Sequence, residues 1–324
     1  MSPTSEPQTS RHEPVAHATA PQTIVALGPL EPALVEPLLS AHQRLVLEPR
    51  EEDLAVADAA IVRAAYTVDR ALLDRMPVLK VLARTGVGTD LVDVAEAARR
   101  GIPVVITPGS NTAAVAEGVF AHLLALVKRI RPLTALVREG RWDERDAGAV
   151  GDLDGFTLGI VGYGRIGRRV ERIAQAFDLR VVAFDPYVDV PEAIRADTLD
   201  DLVAASDFVT LHVPLTPENT NLIDARKLAL LRPGSALINC SRGGLVDLDA
   251  AHAALGAGTL AGLGLDVFDP EPPAHHPVFD HENVTLTPHL MGFTRQGMAH
   301  TVRDAVQGAL DVLAGRTPPA VARP

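Results

Sequence analysis

The chain has 324 residues, 47% of them hydrophobic and 22% charged, which is enough for two domains with a core each. A formal net charge of −11 argues against nucleic acid and anionic membrane surfaces as bulk partners, and no run of 18 apolar residues is present to span a bilayer. One cysteine, Cys240, precludes an internal disulfide and fits the reducing cytoplasm. Residues 1–21, rich in Ser, Thr, Pro and His and lacking the apolar segment of a secretory leader, read as a disordered tail.

From Thr23 onward short apolar runs alternate with helical stretches. "TIVALG" (23–28), "RLVLE" (44–48), "AAIV" (59–62), "VLKVLA" (78–83) and "IPVVIT" (102–107) predict strands, and helices are expected near 31–42, 69–75 and 91–100. Such alternation specifies parallel β-α-β units. The next stretch, 112–130, is a helix with Val115, Val119, Phe120, Leu123, Leu124, Leu126, Val127 and Ile130 spread over most of its circumference, so burial on several sides is expected. "GRWDERDAGAVGDLDG" (140–155) reads as an irregular surface connection.

"GIVGYGRIG" (159–167) then places three glycines at the G-x-G-x-x-G spacing. The spacing alone is weak, but a strand over 156–161 precedes it and a helix over 165–177 follows, with Ile166, Val170, Ile173, Ala174 and Phe177 on one face. In that context Gly162 permits the tight turn, Gly164 lets backbone amides approach a pyrophosphate, and Gly167 lets helix and strand pack closely. The next strand, "LRVVAFD" (179–185), ends on Asp185, near the distance at which a dinucleotide fold places the acid that binds the adenosine ribose. No arginine follows, since the next residues are Pro186 and Tyr187, so NAD is expected rather than NADP.

Four further strands, "DFVTLHVP" (207–214), "SALINCS" (235–241), "LAGLGLDVF" (260–268) and "NVTLTPHL" (283–290), lead to a closing helix over 294–314 that stops at Gly315. The pattern is α/β with two doubly wound parallel sheets, a smaller one before about residue 108 and a dinucleotide-binding one after it. Open sheets of this kind bind ligands beyond the carboxyl ends of their strands. There the second sheet offers Arg242, then Asp266 and Glu271, then His289. Hydride transfer between a secondary alcohol and a nicotinamide needs a group that exchanges the hydroxyl proton and a cation that binds a neighbouring carboxylate. Imidazole exchanges protons near neutrality, a carboxylate beside it fixes its tautomer and favours its charged form, and the planar fork of an arginine matches a carboxylate. His275, His276 and His281 lie in a Pro-rich loop without the spacing of a metal site, so no metal is expected.

The stretches "IVRAAYTVDRALLDRMPVLKVLARTGVGTD", "TPGSNTAAVAE", "LGIVGYGRIG", "HVPLTPENT", "INCSRGGLVD", "LDVFDPEPP" and "TPHLMGFT" occur in this order. Through them the chain, from about Thr23 to Thr317, resembles the D-isomer-specific 2-hydroxyacid dehydrogenases, and among these the phosphoglycerate dehydrogenases. The resemblance implies a Rossmann dinucleotide-binding domain over 109–289 and a smaller flavodoxin-like substrate domain over 22–108 and 290–324. It implies Arg242, Glu271 and His289 as the catalytic residues, with Asp266 near the nicotinamide carboxamide. Dinucleotide contacts are implied at Gly162, Gly164, Arg165, Ile166, Gly167, Asp185, His212, Pro214, Thr220, Cys240 and Ser241; for Cys240 this means packing beside the site, since hydride transfer needs no thiolate. Substrate contacts are implied at Gly86, Val87 and Gly88, with Arg63, Arg84 and Lys128 as candidates for the far end of the substrate.

The implied partner is a small 2-hydroxy or 2-oxo acid, such as 3-phosphoglycerate or phosphohydroxypyruvate, and the implied assembly is a homodimer through the dinucleotide-binding domain. Three positions depart from the family pattern: Glu171 on the dinucleotide helix, Leu91 after Asp90, and Lys128 in place of an arginine. Hydroxypyruvate or glyoxylate reductases, phosphite dehydrogenases and NAD-sensing corepressors share the same frame and stand as alternatives.

Overall fold

The structure, a computed structural model, describes residues 21–63, 66–147 and 150–323. The segment read as a disordered tail therefore lies outside the described residues apart from Pro21. The chain forms two compact units, Met1–Ile106 with Ala305–Pro324, and Thr107–Asp304.

The first unit carries β1 (Gln22–Leu27), β2 (Gln43–Val46), β3 (Ala57–Val62), β4 (Val81–Arg84) and β5 (Val104–Val105), all parallel, in the order β2-β1-β3-β4-β5. This is the flavodoxin-like order, whose strand sequence reverses between β1 and β3. Its helices are α1 (Glu51–Ala55), α2 (Arg70–Asp74) and α3 (Val94–Arg99); Asp69 and Asp93 cap the last two by accepting from Leu72 N and Glu96 N. The helix expected over 31–42 is instead two 3-10 turns, Pro32–Leu34 and Glu36–Leu38. Pro37 explains the difference, because in the middle of that stretch it lacks an N–H and its ring would crowd the carbonyl four residues back, whereas Pro32 sits at a first turn that tolerates proline.

The second unit opens with α4 (Thr112–Val127) and α5 (Ile130–Arg138). The apolar stretch expected as one helix breaks at Arg129, whose φ is 51°. Then follow β6 (Thr157–Val161), α6 (Arg165–Ala176), β7 (Arg180–Phe184), α7 (Leu199–Ala205), β8 (Phe208–Leu211), α8 (Ala225–Leu228), β9 (Ser235–Asn239), α9 (Leu248–Gly256), β10 (Leu260–Leu265), β11 (Val284–Leu286) and α10 (Arg295–Leu313). The six strands are parallel in the order β11-β10-β9-β8-β6-β7, and a single parallel bridge between Ala183 and Arg195 marks the place of one more outer strand. The order reverses between β6 and β8, as in a Rossmann sheet.

Apolar layers cover both faces of this sheet. Val115, Phe120 and Leu123 of α4 and Val170 of α6 pack with Leu158 and Ile160 on one face, while Leu202, Leu255, Leu237 and Leu263 pack together on the other. The breadth of the apolar surface on α4 is thus largely used within its own unit. The division between the two units falls within α10, between 304 and 305. In the first unit Gly308 of α10 lies against β5, where an added Cβ would come within 2.5 Å of Val105. Among the described residues no helix is long and apolar enough to cross a membrane.

Candidate active site

The glycine fingerprint sits at the strand reversal of the second sheet. Gly162, at φ 95°, follows β6, and a Cβ there would lie 2.6 Å from the His212 carbonyl beyond β8; only glycine allows this turn and this approach. A Cβ on Gly167 would collide with the Gly162 carbonyl, so α6 packs against the strand end only without one. Gly164 differs, because nothing lies within 4 Å of its would-be Cβ and its φ of −75° suits any residue. Packing does not require that glycine. Its bare backbone leaves the amino end of the twelve-residue α6, which has no side-chain cap, open to a phosphate-bearing ligand. The residues present therefore fit a dinucleotide.

Asp185, just past β7, is tied to the same turn. Its Oδ2 accepts from Tyr163 N at 2.8 Å, and its Oδ1 accepts from Tyr187 N at 2.9 Å and Val188 N at 3.1 Å. The departure at Glu171 has a structural reason, since its carboxylate accepts the hydroxyl of Tyr163, the residue between the first two glycines. Burial, followed by this carboxylate, pushes the Tyr163 phenol up to about 12. Beyond β8, the ring of His212 is paired with Thr210 at 3.1 Å, and burial draws it down to about 3. The loop carrying Pro214 and Thr220 is closed by its own bonds: Asn219 donates to the Pro214 carbonyl, and Thr220 to the Thr216 carbonyl. Ser241 donates to the Val213 carbonyl at 2.5 Å, joining the loops after β8 and β9. Cys240 is buried, and burial raises its thiol well above the ordinary value.

The adjacent strands β9, β10 and β11 end side by side and carry the polar set. Arg242 follows β9, and its Nη1 donates to the Ser241 carbonyl at 2.8 Å. Its turn presses on the loop after β10, because a Cβ on Gly243 would collide with the backbone of Phe268. That loop bears Glu271, whose Oε1 accepts from Phe268 N at 3.0 Å and whose Oε2 lies 2.7 Å from Nδ1 of His289. With one carboxylate oxygen committed to the backbone and the other to the ring, Nδ1 carries the proton and Nε2 is left for chemistry. His289 stands in the left-handed region at φ 55°, which costs a non-glycine residue about 1 kcal/mol. Its N–H donates to the Asp266 carbonyl at 2.6 Å.

Asp266 itself is 2% exposed. Its carboxylate accepts from the Thr287 hydroxyl at 2.6 Å, Leu290 N at 2.9 Å and Met291 N at 3.0 Å. In this structure it secures the turn that presents His289. The anchoring partners Thr287, Leu290 and Met291 were not singled out from the sequence, because two of them act through backbone amides that leave no compositional trace.

Lys128 does not join this set. It ends α4, where its ammonium pairs with Asp152 and the Gly151 carbonyl, both at 2.6 Å. Gly118 of the same helix lies against Met291, and ten residues of helix separate the two by about 15 Å. Lys128 thus lies toward the amino ends of the strands, the end at which Arg131 bonds the His281 and Val284 carbonyls at the start of β11.

In the first unit, Arg63 stands just beyond β3 at the strand reversal, packed on Gly28 beyond β1, and its Nη1 donates to Thr85 at 3.3 Å. Burial lowers the pKa of its guanidinium. Arg84 is buried at the end of β4, and its Nε donates to the Gly88 carbonyl at 2.8 Å, shaping the 86–88 loop in which Gly86 has φ 146° and Val87 is exposed. Among the described residues no group of three His, Cys, Asp or Glu side chains could hold a metal ion; His275 and His276 pair with Asp280 and Asp249.

Fold and site together define a class: a doubly wound α/β protein whose dinucleotide cradle shares a sheet edge with a histidine–carboxylate pair and an arginine. Comparison with known proteins narrows it. The D-isomer specific 2-hydroxyacid dehydrogenase NAD binding domain matches residues 120–291. The D-3-phosphoglycerate dehydrogenase of Mycobacterium tuberculosis (strain ATCC 25618 / H37Rv) is 39% identical over 313 residues, 94% of this chain and 57% of its own length. The glyoxylate reductase of Thermococcus litoralis is 40% identical over 264 residues, 78% of this chain and 80% of its own. Among solved structures, the TT0316 protein of Thermus thermophilus matches with a TM-score of 0.83 and 35% identity, over 93% of this chain and 100% of that one. The chain belongs to the D-isomer specific 2-hydroxyacid dehydrogenase family, and its second unit contains the NAD-binding domain of that family. It spans little more than half the length of the curated phosphoglycerate dehydrogenases that it matches.

Proposed function

We propose that the protein is an NAD-dependent D-2-hydroxyacid dehydrogenase that interconverts a 2-oxo acid and the D-2-hydroxy acid. The observation that carries this reading is the His289–Glu271 pair at 2.7 Å, held one strand from Arg242 at the edge where the dinucleotide cradle opens. A nicotinamide bound in the cradle would supply or receive the hydride at the substrate C2. Arg242 binds the carboxylate of the 2-oxo acid as a fork and polarises the adjoining carbonyl. Protonated His289 gives the proton on Nε2 to the carbonyl oxygen as C2 gains its hydride, and solvent later restores that proton. In the other direction neutral His289 takes the hydroxyl proton on Nε2, while Glu271 keeps the second proton on Nδ1 and stabilises the imidazolium.

Gly162, Gly164, Arg165, Ile166 and Gly167 would hold the pyrophosphate, and Asp185 the adenosine ribose. A carboxylate pinned by three backbone amides cannot swing away from a 2′-phosphate, which supports NAD over NADP. The loops at His212, Pro214, Thr220, Cys240 and Ser241 would line the rest of the cofactor groove. Arg63, at the strand reversal of the first sheet, and the 86–88 loop would read the substrate beyond C2, so an acid with a second anionic group such as phosphohydroxypyruvate is the favoured substrate.

The cytoplasm suits a chain with one buried thiol. A homodimer is supported by the exposed apolar residues Ile130, Val137 and Trp142, the first two on α5. Oxidation of NADH against phosphohydroxypyruvate, hydroxypyruvate, glyoxylate, pyruvate and branched 2-oxo acids tests the activity; turnover with none of them would refute it.

A further inference from the structure

One buried titratable side chain has no part in the scheme above. His122 is 3% exposed, in the middle of a largely apolar helix, between Phe120 and Leu123. Both ring nitrogens are bonded: Nδ1 lies 2.7 Å from the Thr285 hydroxyl and Nε2 lies 3.0 Å from the Thr287 hydroxyl. The Thr287 hydroxyl also lies 2.6 Å from Oδ1 of Asp266.

These contacts allow one direction only. An ionised carboxylate accepts and does not donate, so the single Thr287 hydrogen goes to Asp266. The Thr287 oxygen must then accept from His122, which places a ring proton on Nε2. Burial lowers the pKa of the ring and favours its neutral form, in which Nδ1 accepts from the Thr285 hydroxyl. The far end of the chain is the Asp266 carboxylate, from which Leu290 N and Met291 N hang, beside the Asp266 carbonyl that takes His289 N.

Two glycines fit this arrangement. A Cβ on Gly264 of β10 would lie 2.8 Å from the His122 Cβ, so that strand makes room for the imidazole. One helical turn before His122, a Cβ on Gly118 would lie 2.5 Å from the Met291 Cβ, so the same helix face seats the other side of the turn.

We propose that His122 is a positioning residue for His289, acting through Thr287 and Asp266 to hold the turn over 289–291 in the left-handed conformation from which His289 meets Glu271. The proposal rests on the reading of His289 as the proton donor. His122→Leu removes both bonds, Thr287→Val cuts the next link, and His122→Gln keeps an N–H that reaches Thr287.

In 2-oxo acid reduction, His122→Leu and Thr287→Val should each lower kcat at least about tenfold, with KM for the oxo acid and Kd for NADH within about twofold of the parent. His122→Gln should recover kcat to within about threefold, and the His122→Leu, Thr287→Val double variant should fall no lower than either single variant, because one chain is cut twice. Unchanged kcat in His122→Leu, no recovery in His122→Gln, or multiplied losses in the double variant would each overturn the proposal. Spectra of 15N-histidine protein without substrate provide a readout apart from turnover. They should show His122 as the Nε2–H tautomer, and the Nδ1–H signal of His289 should weaken in His122→Leu and return in His122→Gln. If His289→Ala keeps its kcat, the proton-donor reading fails, and the spectra still decide whether His122 holds the turn: an unaltered His289 signal in His122→Leu would refute it.

Discussion

Replacing Glu271 by Gln tests the proton transfer most directly, because it removes a charge while nearly preserving shape. The Gln carbonyl can still accept from Phe268 N, so the loop after β10 keeps its anchor. What is lost is the counter-charge 2.7 Å from Nδ1 of His289. The two side chains are 40% and 37% exposed, so solvent screens the pair in part. Unit charges about 4 Å apart attract by about 1 kcal/mol in bulk water and about 4 kcal/mol at an effective dielectric of 20. A half-exposed pair lies toward the lower figure, at about 1.5 kcal/mol, which corresponds to about tenfold in rate. Reduction uses the imidazolium, whose charge Glu271 supports, so without Glu271 kcat/KM for a 2-oxo acid should fall about tenfold. The assay is NADH oxidation, with NADH affinity measured by fluorescence as a control. Unchanged kcat/KM would refute the pairing as a functional one.

Asp185→Ala should narrow an NAD preference of at least about tenfold, or about 1.4 kcal/mol, in kcat/KM; equal use of NADP by the parent protein would defeat the assignment. Arg242→Lys exchanges a bidentate fork for a point charge and should cost about 10- to 100-fold in kcat/KM, spread over kcat and KM, while NADH binding survives. Arg63→Met, which keeps the packing against Gly28, should raise KM for phosphohydroxypyruvate far more than KM for hydroxypyruvate; equal shifts would make Arg63 a structural residue. His212 is held neutral by burial, so its contribution to stability is complete above its ordinary value of 6.5 and is lost as pH falls toward about 3. Between pH 7 and 5 that loss is about 2 kcal/mol, and urea unfolding of His212→Gln without cofactor should show a correspondingly flatter dependence on pH.

The strands were legible because each is a short apolar run closed by polar or turn-forming residues, and all eleven occur where such runs stand. The glycine fingerprint was legible for a stronger reason: Gly162 and Gly167 are each demanded by a backbone approach that no other residue permits. Helix ends were harder. The break at Arg129 has its signal three residues further on, at Pro132, whose ring would crowd the Lys128 carbonyl in a continuous helix; the left-handed residue itself is not marked in the sequence. The helix α1 is five residues long and too short to show a period; only the acidic start at Glu51, Glu52 and Asp53 hints at it. The structure pairs Lys128 with Asp152, a partner that its position along the helix does not reveal. Asp266 was read as a cofactor contact, and its bonds to Thr287, Leu290 and Met291 show a load that spacing cannot reveal.

These two kinds of legibility bear on how one frame serves different acids. Every 2-oxo acid has the same carboxylate, carbonyl and C2, and under the proposed function these parts meet Arg242, His289 and the nicotinamide. Those protein groups stand just beyond strand ends whose loops are locked to one another: Gly243 lies against Phe268, Glu271 against Phe268 N, and the turn at 289–291 hangs from Asp266. A substitution there disturbs several bonds at once and is felt with every substrate. Under the same proposal Arg63 and the loop over 86–88 would read the remainder of the acid; Val87 there is 48% exposed, and nothing lies within 4 Å of a would-be Cβ on Gly86. Arg84, buried and bonded to the Gly88 carbonyl, supports that loop from beneath. Change therefore disturbs least at the exposed Val87, more at Arg63 with its packing on Gly28, and most at Arg242, Glu271 and His289. A panel of variants at Arg63 and Val87 should reorder the preference among 2-oxo acids while leaving the pH profile of reduction in place.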